Sequence, residues 1–289
     1  MRMICVNAIK KFQFLLLIAL VVAVPFSSPM AADSVPQNPD TMSPDASAAK
    51  AKKILQQLIQ GLGGDAYLNV KDSDCTGRAS NFGLSGDMTG YTIFHEYRIL
   101  PDKARVEYTK TGVITNVYSG DKGWTLDKSG VEEIPAADLA LFQGQLKTAM
   151  NNLLRYRLKE PDMFFRYAGF DVIDLHPSDL VEITDSEDRT FRIAVDQSTH
   201  LPVRSYMTSK NTSTGDTTQE VTIYSEWHVL DGVETPYQIS RERDGKRSYQ
   251  GFFNSCKYNS GISPDFFTEA SLQQKWATLG GKKQKKQPK

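Results

Sequence analysis

The chain has 289 residues, of which 34 are Lys or Arg and 34 are Asp or Glu. Three of the basic residues lie within residues 1–32 and five lie within the last eight positions. The part of the chain between them therefore has 26 basic and 34 acidic residues. This acidic excess argues against a nucleic acid as partner, because phosphate binding needs a basic face.

Residues 1–32 have the three parts of a secretory signal peptide. A basic start is followed by an uncharged apolar run, Phe14–Val24, and by small side chains up to Ala32. The run is about half the ~20 residues that span a bilayer, and no other stretch approaches that length, so we expect no stable membrane span. Cys5 precedes the run and is therefore not the acylated cysteine of a bacterial lipoprotein. We expect cleavage near Ala32 and a periplasmic or secreted protein.

Residues 33–46 are rich in Pro, Ser and Asp and predict a flexible linker. A helix is predicted from Ser47 to Leu62, because its apolar residues fall on one stripe and a glycine run ends it. The stripe includes Leu55, Leu58, Ile59 and Leu62. The glycine run follows a helix and lacks Gly-Lys-Ser/Thr, so it does not predict a nucleotide-binding loop.

Beyond the first helix the chain predicts strands joined by turns. Apolar and polar residues alternate, and Gly, Pro and Asp clusters interrupt them at intervals of roughly 8–12 residues. Strands are expected over 74–134 and again over 163–258, with one turn at Asp196–His200. Met163–Phe165 and Asp171–Leu175 are expected to be separate strands. The pattern is typical of an antiparallel meander with one buried face.

A second long helix, predicted from Ala137 to Lys159, interrupts the strands. Its apolar face includes Phe142, Leu146, Met150 and Leu153. Both helices must bury an apolar stripe, and the concave face of a curled sheet is the available partner. Between helices and sheet there is room for an apolar cavity. The chain is expected to end in a short helix over 269–279 and a disordered Lys-rich tail over 280–289.

Removal of the signal peptide leaves two cysteines, Cys75 and Cys256. In an oxidising compartment, two cysteines on separate predicted strands favour a disulfide over a pair of free buried thiols. The bond would bring the first strand close to one of the last. No His or further Cys lies at ligand spacing from either, so a metal site is not expected there.

The titratable residues show no catalytic or metal-binding spacing. The four histidines are scattered, without H-x-H or H-x-x-x-H pairs, at His95, His176, His200 and His228. Asp185, Glu187 and Asp188 lie at a predicted hairpin tip and are expected to be solvated. Aromatic side chains are abundant on the predicted strands, Trp227 among them, and either fill the core or line an acyl pocket.

Three phrases of the sequence resemble one family of bacterial envelope proteins, the outer-membrane lipoprotein-sorting (LolA-like) proteins. They are Gly61–Tyr67, Asn116–Trp124, and Ala194–Pro202 leading into Asp231–Pro236. The resemblance covers most of residues 48–267 and implies an α+β fold, mainly β. In that fold an unclosed, strongly curved antiparallel sheet (a half-barrel) has helices over its concave face and a cavity for acyl chains. The arginine that latches the helical lid in such carriers has three candidates here: Arg78, Arg98 and Arg105.

We therefore predict a LolA-like lipid-binding domain over 47–279 that acts as a carrier rather than as an enzyme, without cofactor or metal. Its ligand would be the acyl chains of a lipid or lipoprotein in envelope transport. The candidate binding residues are Leu55, Leu58, Ile59, Leu62, Phe142, Leu146, Met150, Leu153 and Trp227. The same residues would equally form a sealed core. An envelope sensor or scaffold that binds a protein partner is the alternative, and a secreted hydrolase is less favoured.

Overall fold

A computed structural model describes residues 38–210 and 217–284. The predicted signal peptide, the first part of the predicted linker and the last five residues lie outside this range. In the described part of the chain, none of the helices combines the length and the hydropathy that a membrane span needs.

The described residues contain thirteen strands in one sheet, and every neighbouring pair is antiparallel. The strands are β1 (Asp72–Phe82), β2 (Met88–Ile99), β3 (Lys103–Tyr108), β4 (Ile114–Ser119), β5 (Lys122–Leu126), β6 (Val131–Glu133), β7 (Phe164–Ile173), β8 (His176–Thr184), β9 (Thr190–Asp196), β10 (Pro202–Lys210), β11 (Thr217–Leu230), β12 (Val233–Arg243) and β13 (Lys246–Tyr258). Their order is β6-β5-β4-β3-β2-β1-β13-β12-β11-β10-β9-β8-β7. Two meanders, β1–β6 and β7–β13, thus meet at the pairing of β1 with β13, and the sheet is not closed.

Five α-helices accompany the sheet in the same described ranges. They are α1 (Pro44–Gly61), α2 (Asp65–Leu68), α3 (Ala136–Thr148), α4 (Met150–Arg155) and α5 (Glu269–Gln284), with 3-10 turns at Pro39–Thr41, Arg157–Lys159 and Pro264–Phe267. The mainly β, α+β fold predicted from the sequence is confirmed.

The first helix begins three residues earlier than predicted, so the end of the predicted linker is helical. Ser43 is its N-cap, with the hydroxyl accepting a hydrogen bond from the Ala46 amide at 3.3 Å, and Pro44 occupies the first turn. Both residues favour a helix start, because the cap satisfies a free amide and proline has none to satisfy.

The predicted single helix over 137–159 is wrong, because the chain is extended at Ala149 (ψ 126°) and divides it into α3 and α4. Side chains from the following segment satisfy the carbonyls that the break leaves free. The Asn152 amide donates to the Leu146 carbonyl at 3.0 Å, and the Arg157 guanidinium donates to the Lys147 carbonyl at 2.7 Å. At the other end of the chain α5 continues to Gln284, so the predicted disordered tail is helical over its first five residues.

The predicted strands Met163–Phe165 and Asp171–Leu175 are parts of one strand, β7, whose register shifts between Tyr167 and Gly169. The predicted end at Leu175 lies instead in the β7–β8 turn. Asp174 and Leu175 both have positive φ, as the central residues of a tight two-residue hairpin do.

The Cys75–Cys256 disulfide is present, which confirms the pairing expected from the sequence. The two cysteines lie directly opposite each other on β1 and β13. The bond therefore crosslinks the two meanders at their one shared pair of strands, across 181 residues of chain.

Helices pack on both faces of the sheet. Leu58 of α1 and Leu153 of α4 share a buried core, and Tyr258 packs against it. Residues directly opposite each other on neighbouring strands lie on the same face of the sheet. The register from Tyr258 through Ser73, Arg98 and Ala104 therefore places Tyr118 of β4 on the face of this core. Phe142 of α3 stacks on Tyr118, with ring centroids 3.8 Å apart. We call this face, which carries α1, α3 and α4, the inner face.

The C-terminal helix covers the opposite, outer face. Leu272 of α5 packs with Val117, which precedes Tyr118 in β4. Because successive strand residues face opposite sides of a sheet, Val117 and α5 are on the face opposite Tyr118. Arg105 extends beneath the helix start, where its guanidinium donates to the Phe266 carbonyl at 3.0 Å and lies 3.9 Å from the Phe266 ring centroid. The sequence predicted helices on the concave face only, whereas the structure also has a helix, α5, on the outer face.

The sheet is strongly curved, as contacts of α3 show. Gln143 donates to the Gly120 carbonyl in the β4–β5 turn at 3.1 Å, and Lys147 pairs with Glu187 in the β8–β9 turn at 3.0 Å. In a flat sheet these turns would be nine strand spacings, or about 43 Å, apart. Gln143 and Lys147 are one helical turn, or about 6 Å, apart along the axis. The two halves of the sheet must therefore curl toward each other around the inner face.

Candidate functional site

The connection from β6 to β7 joins the two free edges of the sheet across its inner face. Its first part, α3, has no buried residue although it is rich in apolar side chains. Leu141 is 66% exposed, while Phe142 and Leu146 are half-buried. The apolar side chains of α3 therefore contact the sheet without being fully enclosed.

The second part of the connection is firmly anchored through Asp185, whose side chain is fully buried in the β8–β9 turn. Its carboxylate accepts hydrogen bonds from the guanidinium groups of Arg157 and Arg189 at 3.0 and 2.9 Å and from two backbone amides of the turn. Burial would raise the pKa of Asp185, but the hydrogen bonds outweigh it and lower the pKa to about 2. The sequence predicted a solvated tip here, which is wrong for Asp185.

Four of the eight predicted helix residues lie in the sealed core between α1, α4 and the strands β7–β9. Leu55, Leu58, Leu62 and Leu153 are at most 2% exposed. The remaining candidates are half-buried: Ile59, Met150 and Trp227 at the margin of this core, and Phe142 and Leu146 on α3. Leu146 also lines a polar cleft of about 570 Å³ between the connection and the β8–β9 turn.

Half-buried aromatic and apolar side chains follow the inner face across the central strands from β3 to β11. The register places them on two cross-strand lines, Tyr108–Phe94–Gly77–Phe253 and Tyr224–Ile239–Gly251. Tyr249 is on the same face as Phe253. We use the name trough for the half-buried residues on these lines together with Tyr249, which are Tyr108, Tyr224, Ile239, Tyr249 and Phe253.

Two glycines make room for the rings of the trough. A Cβ at Gly77 would lie 2.5 Å from the Phe94 ring, and one at Gly251 would overlap the Tyr249 ring. Phe253 meets Phe94 edge-on, with centroids 5.7 Å apart. The absence of side chains at Gly77 and Gly251 leaves their space to the Phe94 and Tyr249 rings.

The trough is not purely apolar. Glu96 and Arg98 both face it from β2 and form an ion pair with an oxygen–nitrogen distance of 2.7 Å. The Glu96 carboxylate raises the pKa of Arg98, and burial raises the pKa of the nearby Tyr108 to about 12. Of the three arginines proposed as a lid latch, only Arg98 is on the inner face. Arg105 anchors the outer helix, and Arg78 lies 5.2 Å from the Phe252 ring on the outer face.

The histidines lie apart, as their spacing predicts. His95 contacts Asp74 at 2.6 Å, and His176 contacts Asp196 at 2.8 Å. Around the second pair, the Ser198 hydroxyl donates to the carboxylate rather than to the imidazole, so this pair does not activate that hydroxyl as a nucleophile. Within residues 38–210 and 217–284 no three His, Cys, Asp or Glu side chains are grouped as metal ligands.

The half-barrel is similar in fold to solved structures of LolA-superfamily proteins. A LolA superfamily protein from Nitrosomonas europaea is 13% identical, with a TM-score of 0.52 over 77% of this chain and 99% of its own. A domain from Vibrio parahaemolyticus described as an outer membrane lipoprotein-sorting protein is 11% identical, with a TM-score of 0.52 over 78% of this chain and 99% of its own.

A DUF1329 family protein from Desulfovibrio piger is also similar, at 14% identity and a TM-score of 0.58 over 80% of this chain and 100% of its own. No protein-family model matches the chain, and no curated protein matches it. At these identities the likeness shows the fold, and the half-barrel expected from the resemblance is confirmed.

Proposed function

We propose that the protein is a periplasmic carrier that binds the acyl chains of a lipid or lipoprotein in its trough, without catalysis. The observation that carries the proposal is the half-buried aromatic trough on the inner face, which also carries a helix, α3, that buries none of its own apolar residues. An acyl chain bound along this face would cover both surfaces. The signal peptide predicted over 1–32 and the disulfide support an exported, oxidised protein.

Hydrocarbon burial supplies enough free energy for such binding. Each methylene removed from water contributes about 0.8 kcal/mol, so a chain that places ten carbons in the trough would gain roughly 8 kcal/mol before the costs of association. A site of this kind needs no catalytic or metal-ligating residue. The Leu55, Leu58, Leu62 and Leu153 side chains would then support the site from the core, while Phe142, Leu146 and Met150 are proposed to contact the ligand.

A second role, as an envelope sensor or scaffold, is favoured by one observation. β7 is an edge strand, and it exposes Phe164 (68%) and Val172 on its surface. Edge strands offer unpaired backbone groups to a partner's strand. The Ser47 hydroxyl already accepts the Tyr167 amide at 3.0 Å, and the Asp171 carboxylate accepts the Val172 amide at 2.7 Å. The second role therefore rests on the exposed Phe164 and Val172 side chains of this edge strand.

Two adjacent phenylalanines provide a matched test of the carrier proposal. Phe253 faces the trough and Phe252 faces the outer side, and both are half-buried. Phe253→Ala is expected to weaken binding of a fluorescent long-chain fatty acid roughly tenfold, because it removes a ring from the ligand surface. Phe252→Ala should leave the affinity within about twofold. Fluorescence titration of the two variants measures both.

Equal affinities for the two variants, with both folded by circular dichroism, would contradict binding in the trough. In that case Val172→Asp on the edge strand becomes the informative change. It should abolish capture of a partner protein if the scaffold role is correct.

A further inference from the structure

The hairpin between β1 and β2 holds two large apolar side chains away from the core; we call its end the apolar tip, although it also carries the exposed Asp87, which accepts a hydrogen bond from the Ser85 hydroxyl. Leu84 is 83% exposed and Met88 is 62% exposed. The tip is ordered by backbone hydrogen bonds from Gly83 to the Asp87 carbonyl and from Gly86 to the Gly83 carbonyl, both of 2.9 Å. Two large apolar side chains are therefore presented to solvent in a fixed position, at a cost in free energy that packing against the core would avoid.

A basic hairpin tip lies beside this apolar one. Because β1 pairs with β13, Asn81 is opposite Tyr249, and the Arg247 guanidinium lies 5.7 Å from the Phe82 ring centroid. Residues 241–249, which form the β12–β13 tip, contain four basic and two acidic side chains. The rest of the folded chain has an excess of acidic residues, so this end differs in charge from the remainder.

The trough reaches the same end of the sheet. Tyr249 belongs to the trough and lies one strand residue from the level of Phe82, while Arg241, opposite Tyr249 on β12, lies 5.3 Å from its ring centroid. A ligand that enters or leaves the trough here would pass along the inner side of the two neighbouring tips.

We propose that the paired tips of the β1–β2 and β12–β13 hairpins form a docking surface for an anionic phospholipid bilayer. Leu84 and Met88 would enter the interfacial region, and Arg241, Lys246 and Arg247 would lie among the lipid phosphates. One apolar anchor or one basic patch gives only marginal binding, whereas the two together support reversible docking. The purpose of docking, which is exchange of a ligand with the membrane, rests on the proposed carrier function, but the docking itself can be measured separately.

The test is co-sedimentation of the protein with vesicles of phosphatidylglycerol and phosphatidylethanolamine, and with vesicles of phosphatidylcholine alone. We expect binding to the anionic vesicles that weakens as salt is raised, because the basic residues act through screened charges. Leu84→Ser with Met88→Ser should weaken this binding about tenfold or more, and so should Lys246→Glu with Arg247→Glu. All four positions are on exposed hairpin tips, so the variants should fold.

Leu175→Ser is the matched control, since Leu175 is 92% exposed on the β7–β8 turn, outside the two tips. It should bind anionic vesicles as the wild type does. No vesicle binding by the wild type, or an equal loss in the control and the tip variants, would overturn the proposal. If the protein binds the fatty-acid probe but no vesicles, the docking proposal is wrong and the carrier proposal stands. If it binds anionic vesicles but not the probe, the docking proposal stands and the carrier proposal is wrong.

Discussion

Replacing both Cys75 and Cys256 with Ser is expected to lower the free energy of unfolding by about 4–5 kcal/mol. The bond closes a loop of 181 residues, and the chain-entropy model gives the largest stabilisation for long loops. It also crosslinks the two meanders at their one shared strand pair, so its loss affects the pairing that holds both halves of the trough together. Urea unfolding of the variant, and of the wild type with and without reductant, measures the effect.

The neighbouring pair on the same two strands is the control. Thr76 and Ser255 lie opposite each other beside the disulfide, with their hydroxyl oxygens 2.8 Å apart on an exposed surface. Replacing both with Ala should cost about 1 kcal/mol or less, as an exposed hydrogen bond does. If the disulfide variant loses no more than this control, the bond does not stabilise the sheet in the way proposed.

Asp185→Asn is expected to destabilise the protein by about 3–5 kcal/mol, because it leaves two arginines beside a buried site without their carboxylate. Arg157 and Arg189 both donate to this group, and Arg157 fixes the segment that follows α4. Glu187→Gln is the control, since Glu187 is exposed in the same turn and pairs with Lys147 and Arg189 at its surface. It should change the stability by less than about 1 kcal/mol.

The same carboxylate predicts a pH dependence with a definite sign. The pKa of Asp185 is about 2 in the folded protein, below its ordinary value of 3.8, so its ionised form stabilises the fold above about pH 4. That stability is lost as the pH falls from about 4 toward 2. The variant should lose less stability than the wild type over this range. Identical pH profiles would show that Asp185 does not carry the acid sensitivity.

Local patterns in the sequence were enough to predict the parts of the fold that depend on near neighbours. The apolar stripe of Leu55, Leu58 and Leu62 does face the sheet, and the turn at Asp196–His200 is where the alternation places it. The disulfide also followed from two cysteines on separate strands. Each of these features is set by residue spacing or by a small number of alternatives.

The features that the sequence missed depend on contacts between distant residues. The break at Ala149 is stabilised by side chains that reach the β2–β3 turn, where Asn152 donates to the Pro101 carbonyl. Asp185 is buried because Arg157, 28 residues earlier, folds over it. The outer position of α5 depends on Arg105 and Phe266, which are 161 residues apart. No periodicity within a helix or a strand encodes such pairs.

The trough itself was predicted only in outline. The sequence indicated a surplus of aromatic residues on strands, but the choice of Tyr108, Tyr249 and Phe253 over their neighbours depends on the strand register. That register includes a bulge between Thr76 and Gly77 that changes which β13 residue faces inward. A shift of one residue reverses the face of every side chain that follows, so the alternation alone does not identify the lining.

Native mass spectrometry of the protein purified from a bacterial periplasm, followed by organic extraction of what it binds, tests the central claim most directly. The carrier account predicts a bound mass that extracts as a lipid and is reduced in Phe253→Ala but not in Phe252→Ala. A folded protein that carries no lipid from the periplasm, and takes up neither fatty acids nor lipopeptides when they are added, would contradict it.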